Sequence, residues 1–401
     1  RITSKTKRMN QLKAWIDEQF KGDPIIWAIV ILLSMFSILV VYSATGTLVY
    51  AAKEVDTEQY LFKHSKLVLA SLVVMWLAHK IPYRKYALYA RLFMFLSIPL
   101  LVVTYLFGSN INEANRWLVI PVINQAFQPS DLAKLSLIAA LAAMLAKRQN
   151  NINDIAGTLL PIVISIGVIT ALIGMANMST AILLLITCLL IMFIGRVPVQ
   201  HLALVVMVGI IGLSVAILAG QRKDTFLSRI ETFMDSKDDD SKVPFQAEQS
   251  YIAIATGGIA GKGPGNSEQR NTLPHPYSDF IYAIILEEYG MVGGVSVLFL
   301  YLALLYRGMR IVANSNKAFG GLLSAGLSFA LVIQALVNMA VAVGLGPITG
   351  LPLPLLSMGG TSLIFTGTAL GIILSVSRGD HQEEGSASGE TSKKGNQLRT
   401  A

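Results

Sequence analysis

Ten long apolar runs alternate with short polar connections along this chain of 401 residues. They lie near 25–45, 64–79, 88–107, 129–146, 156–174, 178–194, 200–219, 279–305, 319–344 and 361–377. An α-helix needs about 20 residues to cross the hydrocarbon of a bilayer, so the pattern predicts an all-α polytopic membrane protein of about ten spans. Residues 25–377 form the membrane domain and 220–278 the one large connection. Residues 1–24 and 378–401 are tails. The apolar share of 53%, the charged share of 14% and a mean hydropathy of +0.59 fit no other class.

Charge fixes the orientation. Lys and Arg in the two tails and in alternate connections number 19, against three (Lys53, Lys63, Arg116) on the opposite face. The positive-inside rule places both termini in the cytoplasm and the 220–278 loop outside. The net charge of +8 therefore reports topology and calls for no nucleic-acid partner. The first apolar run is full length, so no cleavable signal peptide is expected. LKAWIDEQF in the N-terminal tail looks amphipathic, while the Ser-, Gly-, Glu- and Lys-rich C-terminal tail is expected to be disordered.

Chemistry concentrates on the outer face. In GKGPGNSEQRNTLPHPYSDFIYAIILEEYG (261–290), a glycine-rich stretch runs into a span that opens at Asp279 and holds Glu287 and Glu288. Two readings of Asp279 stand side by side: a helix cap, or a functional acid where water meets hydrocarbon. Asp131 and Lys134, three apart in a span, share a helix face, as a structural ion pair or as part of a wet cavity. Asn177, Ser179 and Thr180 head the sixth span, where capping is the plain role. Residues 249–260 read as a short helix lying on or dipping into the membrane. Residues 345–360, LGPITGLPLPLLSMGG, carry three prolines and no charge, and read as a re-entrant or lid loop.

Other chemistries are excluded. Lys262 is followed by Gly263 and not by Ser or Thr, so the glycines form no phosphate loop. Five scattered histidines have no metal-ligand spacing, no Ser-His-Asp set is readable, and the single cysteine, Cys188, allows no disulfide within the chain.

Taken together, ANRWL…QPSDLAKL, NMSTA, QAEQS…GGIAGKGPGNSEQ, PYSDFIYAIILEEYG and PITGLPLPLLSMGGTSL resemble the SEDS family of cell-wall synthases (FtsW and RodA). The resemblance covers about 25–377, and the PHPYSDF form leans to the FtsW-like division branch. It implies a peptidoglycan glycosyltransferase of the bacterial inner membrane that polymerises lipid II onto a growing glycan strand. It makes Asp279 the essential carboxylate and general base, and undecaprenyl diphosphate the leaving group. Arg116, Asp131, Lys134, Asn177, Ser267 and Gln269 become substrate-binding positions. Asp131 stands where the family commonly has Glu, and Asn177 where it commonly has Asp, so no second acid is present there. The implied partners are a class B penicillin-binding protein transpeptidase and other division proteins. A divalent cation, Mg or Mn, is compatible with the chemistry, although no metal cage is readable. The alternative is a lipid II flippase that uses Lys134, Glu287 and Glu288 as waypoints, and a bare division scaffold is a third reading.

Overall fold

The computed structural model describes residues 18–46, 57–111, 114–120, 125–149, 154–219, 223–239 and 242–397. All but the end of the amphipathic stretch in the N-terminal tail lies outside them. Twelve α-helices are present among the described residues: α1 Pro24–Thr45, α2 Thr57–Lys80, α3 Tyr83–Phe107, α4 Pro129–Lys147, α5 Leu160–Ala176, α6 Met178–Ile194, α7 Val199–Ala219, α8 Lys223–Asp238, α9 Phe245–Gly257, α10 Ile281–Asn314, α11 Ala318–Ala342 and α12 Ser362–Gln397. Ten of them match the expected spans. Nine have the length and apolarity to cross a membrane, α5 together with the π-helical turn Ile155–Leu159 that leads into it, and α6, at 17 residues, is slightly shorter. The chain is a multi-pass helical membrane protein.

Three features add detail to the expected pattern. The connection 108–128 contains a three-stranded antiparallel sheet, β1 Ser109–Ile111, β2 Ala114–Ile120 and β3 Gln125–Phe127. Its Trp-Leu-Val-Ile run suits a pleated surface, and Leu118 pairs with Phe127. α12 runs on past the span through residues 378–397. No proline interrupts them, and a helix already nucleated by a span extends at one hydrogen bond per residue. Finally, the eighth span starts at Ile281, not at 279, and runs to Asn314.

Close packing follows from small residues. Gly367 and Gly371, four apart in α12, face α2, and a Cβ on either would lie 2.4 Å from the carbonyl oxygen of Ser71 or Met75. Such spacing lets two helices approach backbone to backbone where lipid offers no hydrophobic drive. At the other end, Asp23 caps α1 by accepting from the Ile25 and Ile26 amides (2.9 and 3.3 Å), and Arg307 of α10 donates to its second oxygen at 2.7 Å.

The irregular feature is α10, which breaks at Gly290 (φ 65°, ψ −167°). A break exposes carbonyls on one side and amides on the other, and hydrocarbon supplies no partner for either. Residues 257–263, at the end of α9, supply them. Lys262 and Gly263 amides donate to the Glu287 and Glu288 carbonyls at 2.9 Å, and the Met291 and Val292 amides donate to the carbonyls of Gly258 and Ile259. At about 1.5 Å per residue this pairing lies roughly two turns inside the N-terminal end of α10, so α9 dips into the bundle. The approach leaves no room for side chains. A Cβ on Gly261 would lie 2.3 Å from the Glu288 oxygen, whereas one on Gly265 meets nothing within 4 Å.

Both glycines have positive φ (80° and 83°), so alanine at either costs about 1–2 kcal/mol of backbone strain. Gly261→Ala must also displace backbone. Thermal unfolding in detergent should show a clearly larger drop in Tm for Gly261→Ala than for Gly265→Ala. Equal drops would mean that the pairing across the break is not tight.

Candidate active site

At one end of the bundle, α4, α6, α8, the sheet, the 274–280 segment and the proline loop enclose a cavity of about 560 Å³. Asp279, Arg116, Asp131, Lys134 and Asn177 line it together with Arg229, His275 and Gln334. Five of the seven residues singled out in the sequence thus share one space, although they are spread over more than 160 positions.

Each is placed by its own element. Arg116 and Trp117 lie on β2, and Thr361 at the entry to α12 ties the sheet down by donating to the Ala126 carbonyl at 3.1 Å. Arg116 Nε donates to the carbonyl of Ala176 at 3.0 Å. Asp131 and Lys134, in the first turns of α4, form an ion pair at 2.8 Å. The second oxygen of Asp131 is buried without a protein partner. Asn177 caps α6, its side-chain oxygen accepting from the Thr180 amide at 3.3 Å.

Asp279 does not cap α10. Phe280 occupies that position and provides no side-chain bond. The carboxylate instead accepts from Ser278 Oγ at 3.0 Å and faces the cavity. Its backbone is held by the proline loop. Asn338 Nδ2 donates to the carbonyls of both Asp279 (2.8 Å) and Leu351 (2.7 Å). Ser357 Oγ donates to the Ser278 carbonyl at 2.6 Å, and the Met358 amide donates to that of Tyr277 at 2.9 Å. Within the loop, Leu351, Leu353, Leu355 and Leu356 are buried, so it is packed into the bundle beneath the acid. Leu355 has φ 66°, a conformation a bulky residue holds only when its surroundings impose it. Tyr301 OH on the carbonyl of Pro354, and Ser37 Oγ on that of Leu356 at 2.9 Å, clamp it from both sides.

Burial pushes the Asp279 carboxyl above its ordinary value. The Ser278 hydroxyl, then Arg229, His275 and Arg116, oppose that shift without cancelling it. The result is a poorly solvated carboxylate with Arg229 and Arg116 near it.

Ser267 and Gln269 lie elsewhere. Glu287, fully buried in α10, accepts from Ser267 Oγ (2.5 Å), Lys262 Nζ (2.9 Å) and the amides of Glu268 and Gln269 (3.0 and 3.3 Å). A buried carboxylate must be hydrogen-bonded, and this segment supplies its donors instead of lining the cavity. The sequence reading in turn passed over Arg229. The signal was present: α8 exposes Leu227, Ile230 and Met234, and Arg229 falls on its other side.

A narrower apolar groove leaves the cavity between α4, α6, α11 and α12. It shares Asp131, Lys134, Thr180, Gln334, Leu351 and Ser362 with the cavity and continues past Ile138, Leu184, Leu327 and Phe365.

Residues 23–382 match the model of a family described as cell cycle proteins and typified by FtsW, RodA and SpoVE. The chain is 32% identical to the probable peptidoglycan glycosyltransferase FtsW of Geobacter sp. (strain M18), over 88% of this chain and 96% of that protein. It is 30% identical to the stage V sporulation protein E of Bacillus subtilis, over 89% and 97%. A chain of a peptidoglycan synthase complex, described as coordinating polymerization and crosslinking, superposes with a TM-score of 0.69 at 25% identity, covering 90% of this chain and 99% of that one. The rod shape determining protein RodA of Thermus thermophilus shares the fold (TM-score 0.64, 24% identity, 89% and 97% covered).

The double bond made by Asn338 yields a stability test. Asn338→Leu leaves the carbonyls of Asp279 and Leu351 without that donor, at about 1–3 kcal/mol each. Its Tm should fall by several degrees, and an unchanged Tm would mean that the two loops are not joined through this side chain.

Proposed function

This chain belongs to the FtsW/RodA/SpoVE family of cell cycle proteins, and we propose that it is a peptidoglycan glycosyltransferase that polymerises lipid II during cell division, with Asp279 as general base. The observation that carries this reading is a desolvated carboxylate, its pKa raised by burial, in a cation-bearing cavity continuous with an apolar groove. The names of the curated relatives and the description of the synthase complex support the same activity.

The chemistry is a single displacement. A sugar hydroxyl of one glycan attacks the anomeric carbon of the other as the bond from that carbon to the polyprenyl diphosphate breaks. The hydroxyl proton passes to Asp279, the electron pair of the broken bond leaves with the diphosphate, and the anomeric centre inverts. A carboxylate with a raised pKa is a stronger base than an ordinary one. Lys134 and Arg116 offset the charge growing on the leaving oxygen through charge-assisted hydrogen bonds. The groove between α4, α6, α11 and α12 suits a polyprenyl tail, its polar mouth at Lys134 and its apolar walls facing lipid.

Among the described residues no three His, Cys, Asp or Glu side chains lie together, and the acids of the cavity are outnumbered by its cations. A Mg or Mn ion, if one takes part, would be held by Asp131 and Asp279, which line the cavity, together with the substrate diphosphate, and no step is routed through it. The lipid II flippase reading gains nothing from Glu287 and Glu288, because Lys262, Ser267 and Ser43 engage their carboxylates. The bacterial relatives support a place in the bacterial inner membrane, and the charge asymmetry favours both termini in the cytoplasm. A transpeptidase of the class B penicillin-binding type, which would crosslink the strand, is the proposed partner, along with other division proteins.

Asp279→Asn tests the reading. Because the folded pKa is raised, the stability this group contributes is complete below the ordinary carboxyl value and is lost as pH rises through the raised one. At neutral pH the amide should therefore match or exceed the wild-type Tm. Polymerisation of purified lipid II should fall by at least about 10²-fold. A folded Asp279→Asn protein that polymerises at the wild-type rate would remove Asp279 from the mechanism.

A further inference from the structure

Helix α8 is amphipathic, and its two sides meet different surroundings. On one side, Thr225, Phe226 and Arg229 lie against Ala216 and Ile217 at the end of α7 and against the head of α6. There Arg229 Nη1 donates to the Ile348 carbonyl at 3.1 Å. On the other side, Leu227, Ile230 and Met234 follow one another at helical spacing, so they share a face. They are 50%, 39% and 58% exposed. Half-buried Phe226 and Phe233 border this stripe. Ser228 and Glu231 are exposed away from it, and Asp235 pairs with Lys242 at 3.3 Å.

The position of α8 identifies what covers the stripe. α7 crosses the membrane and ends at Ala219, and α8 begins at Lys223. Four residues span at most about 14 Å, so the first turn of α8 lies close to where a span leaves the bilayer. The last turns of that span carry Ile211, Val215 and Leu218 as an exposed apolar strip, which is a lipid-facing surface. Beyond α8, the chain re-enters at Phe245, the exposed first residue of α9, with exposed Ile252 two turns further down the helix that dips into the bundle. A helix about 24 Å long is thus tethered between an exit from the membrane and a return to it. Helices with one apolar and one polar side, held at that level, bury the apolar side at the boundary of headgroups and acyl chains.

We propose that α8 is an interfacial helix and that the occupant of its Leu227, Ile230 and Met234 face is the lipid leaflet at the cavity end of the bundle. The seat has a consequence for the cavity. A Cβ on Gly350 would lie 3.5 Å from Asp279 Oδ2 and 3.8 Å from Arg229 Nη1, so Arg229 and the acid flank one bare backbone position. Lipid under one side of α8 therefore fixes the height of the cavity wall on its other side. The inference goes beyond the glycosyltransferase reading and depends on no step of it.

Fluorescence quenching in nanodiscs of phosphatidylethanolamine and phosphatidylglycerol tests the docking with the full chain. Cys188 is buried, so a single introduced cysteine can carry an environment-sensitive label. Ile230→Cys and, separately, Met234→Cys change exposed side chains, and Ser228→Cys places the label on the opposite side. For a face about 5–10 Å into the boundary, a lipid with its nitroxide near the headgroup should quench the 230 and 234 labels roughly twofold or more beyond one with its nitroxide at the chain end. Aqueous iodide should quench the 228 label strongly and the other two little. Labels at 230 and 234 as open to iodide as that at 228 would put the face in water, free for a protein partner, and overturn the proposal. Labels at 230 and 234 shielded from both quenchers would mean a face packed on protein, and would overturn it equally. Polymerisation of lipid II does not enter the readout, so loss of the enzymatic reading would leave this result standing.

Discussion

No backbone amide or carbonyl can go unpaired inside hydrocarbon, and α10 is broken at Gly290. Most of the half of the molecule that carries the cavity follows from repairing that break. Residues 257–263 must reach into the bundle to pair with 287–292, which forces α9 to dip and glycine to occupy 257, 261 and 290, where side chains would collide with backbone. Once there, the same segment supplies Lys262 and Ser267 to Glu287. A carboxylate too costly to bury alone becomes the post to which the loop is tied. From that post the chain returns to the surface over about a dozen residues and delivers Asp279 to the cavity.

The acid itself is held from below. The proline loop carries a strained Leu355 between two hydroxyl clamps, and its Ser357 and Met358 grip the carbonyls of Ser278 and Tyr277. Stability is given up at two points in this arrangement, the strained leucine and the desolvated carboxylate. Both are adjacent to the proposed chemistry, where such costs usually gather. The rest of the bundle compensates by close packing of the Gly367 and Gly371 kind.

The spans and the five residues Arg116, Asp131, Lys134, Asn177 and Asp279 that share the cavity were legible in the sequence. Each depends on local composition or on a motif that carries its own context. What could not be read depends on contacts between distant segments. Ser267 and Gln269 look like ligand-binding residues in a glycine-rich loop, and only the fold brings Glu287 beside them. Asp279 has the residue type of a cap, and only the placement of Phe280 at the helix entry settles that it is not one. Arg229 was visible as the polar side of a helix with an exposed Leu227, Ile230 and Met234 face, but nothing local says that this side meets the acid. The short sheet was missed because its strands are brief.

The account rests on Asp279 acting as a base whose pKa is raised by burial. The direct measurement is the pH dependence of kcat/KM for lipid II polymerisation by the purified protein. The rate should decline as pH falls through a single ionisation lying above the ordinary aspartate value of about 3.9. A rate that stays flat down to the ordinary carboxylate range would contradict the central claim.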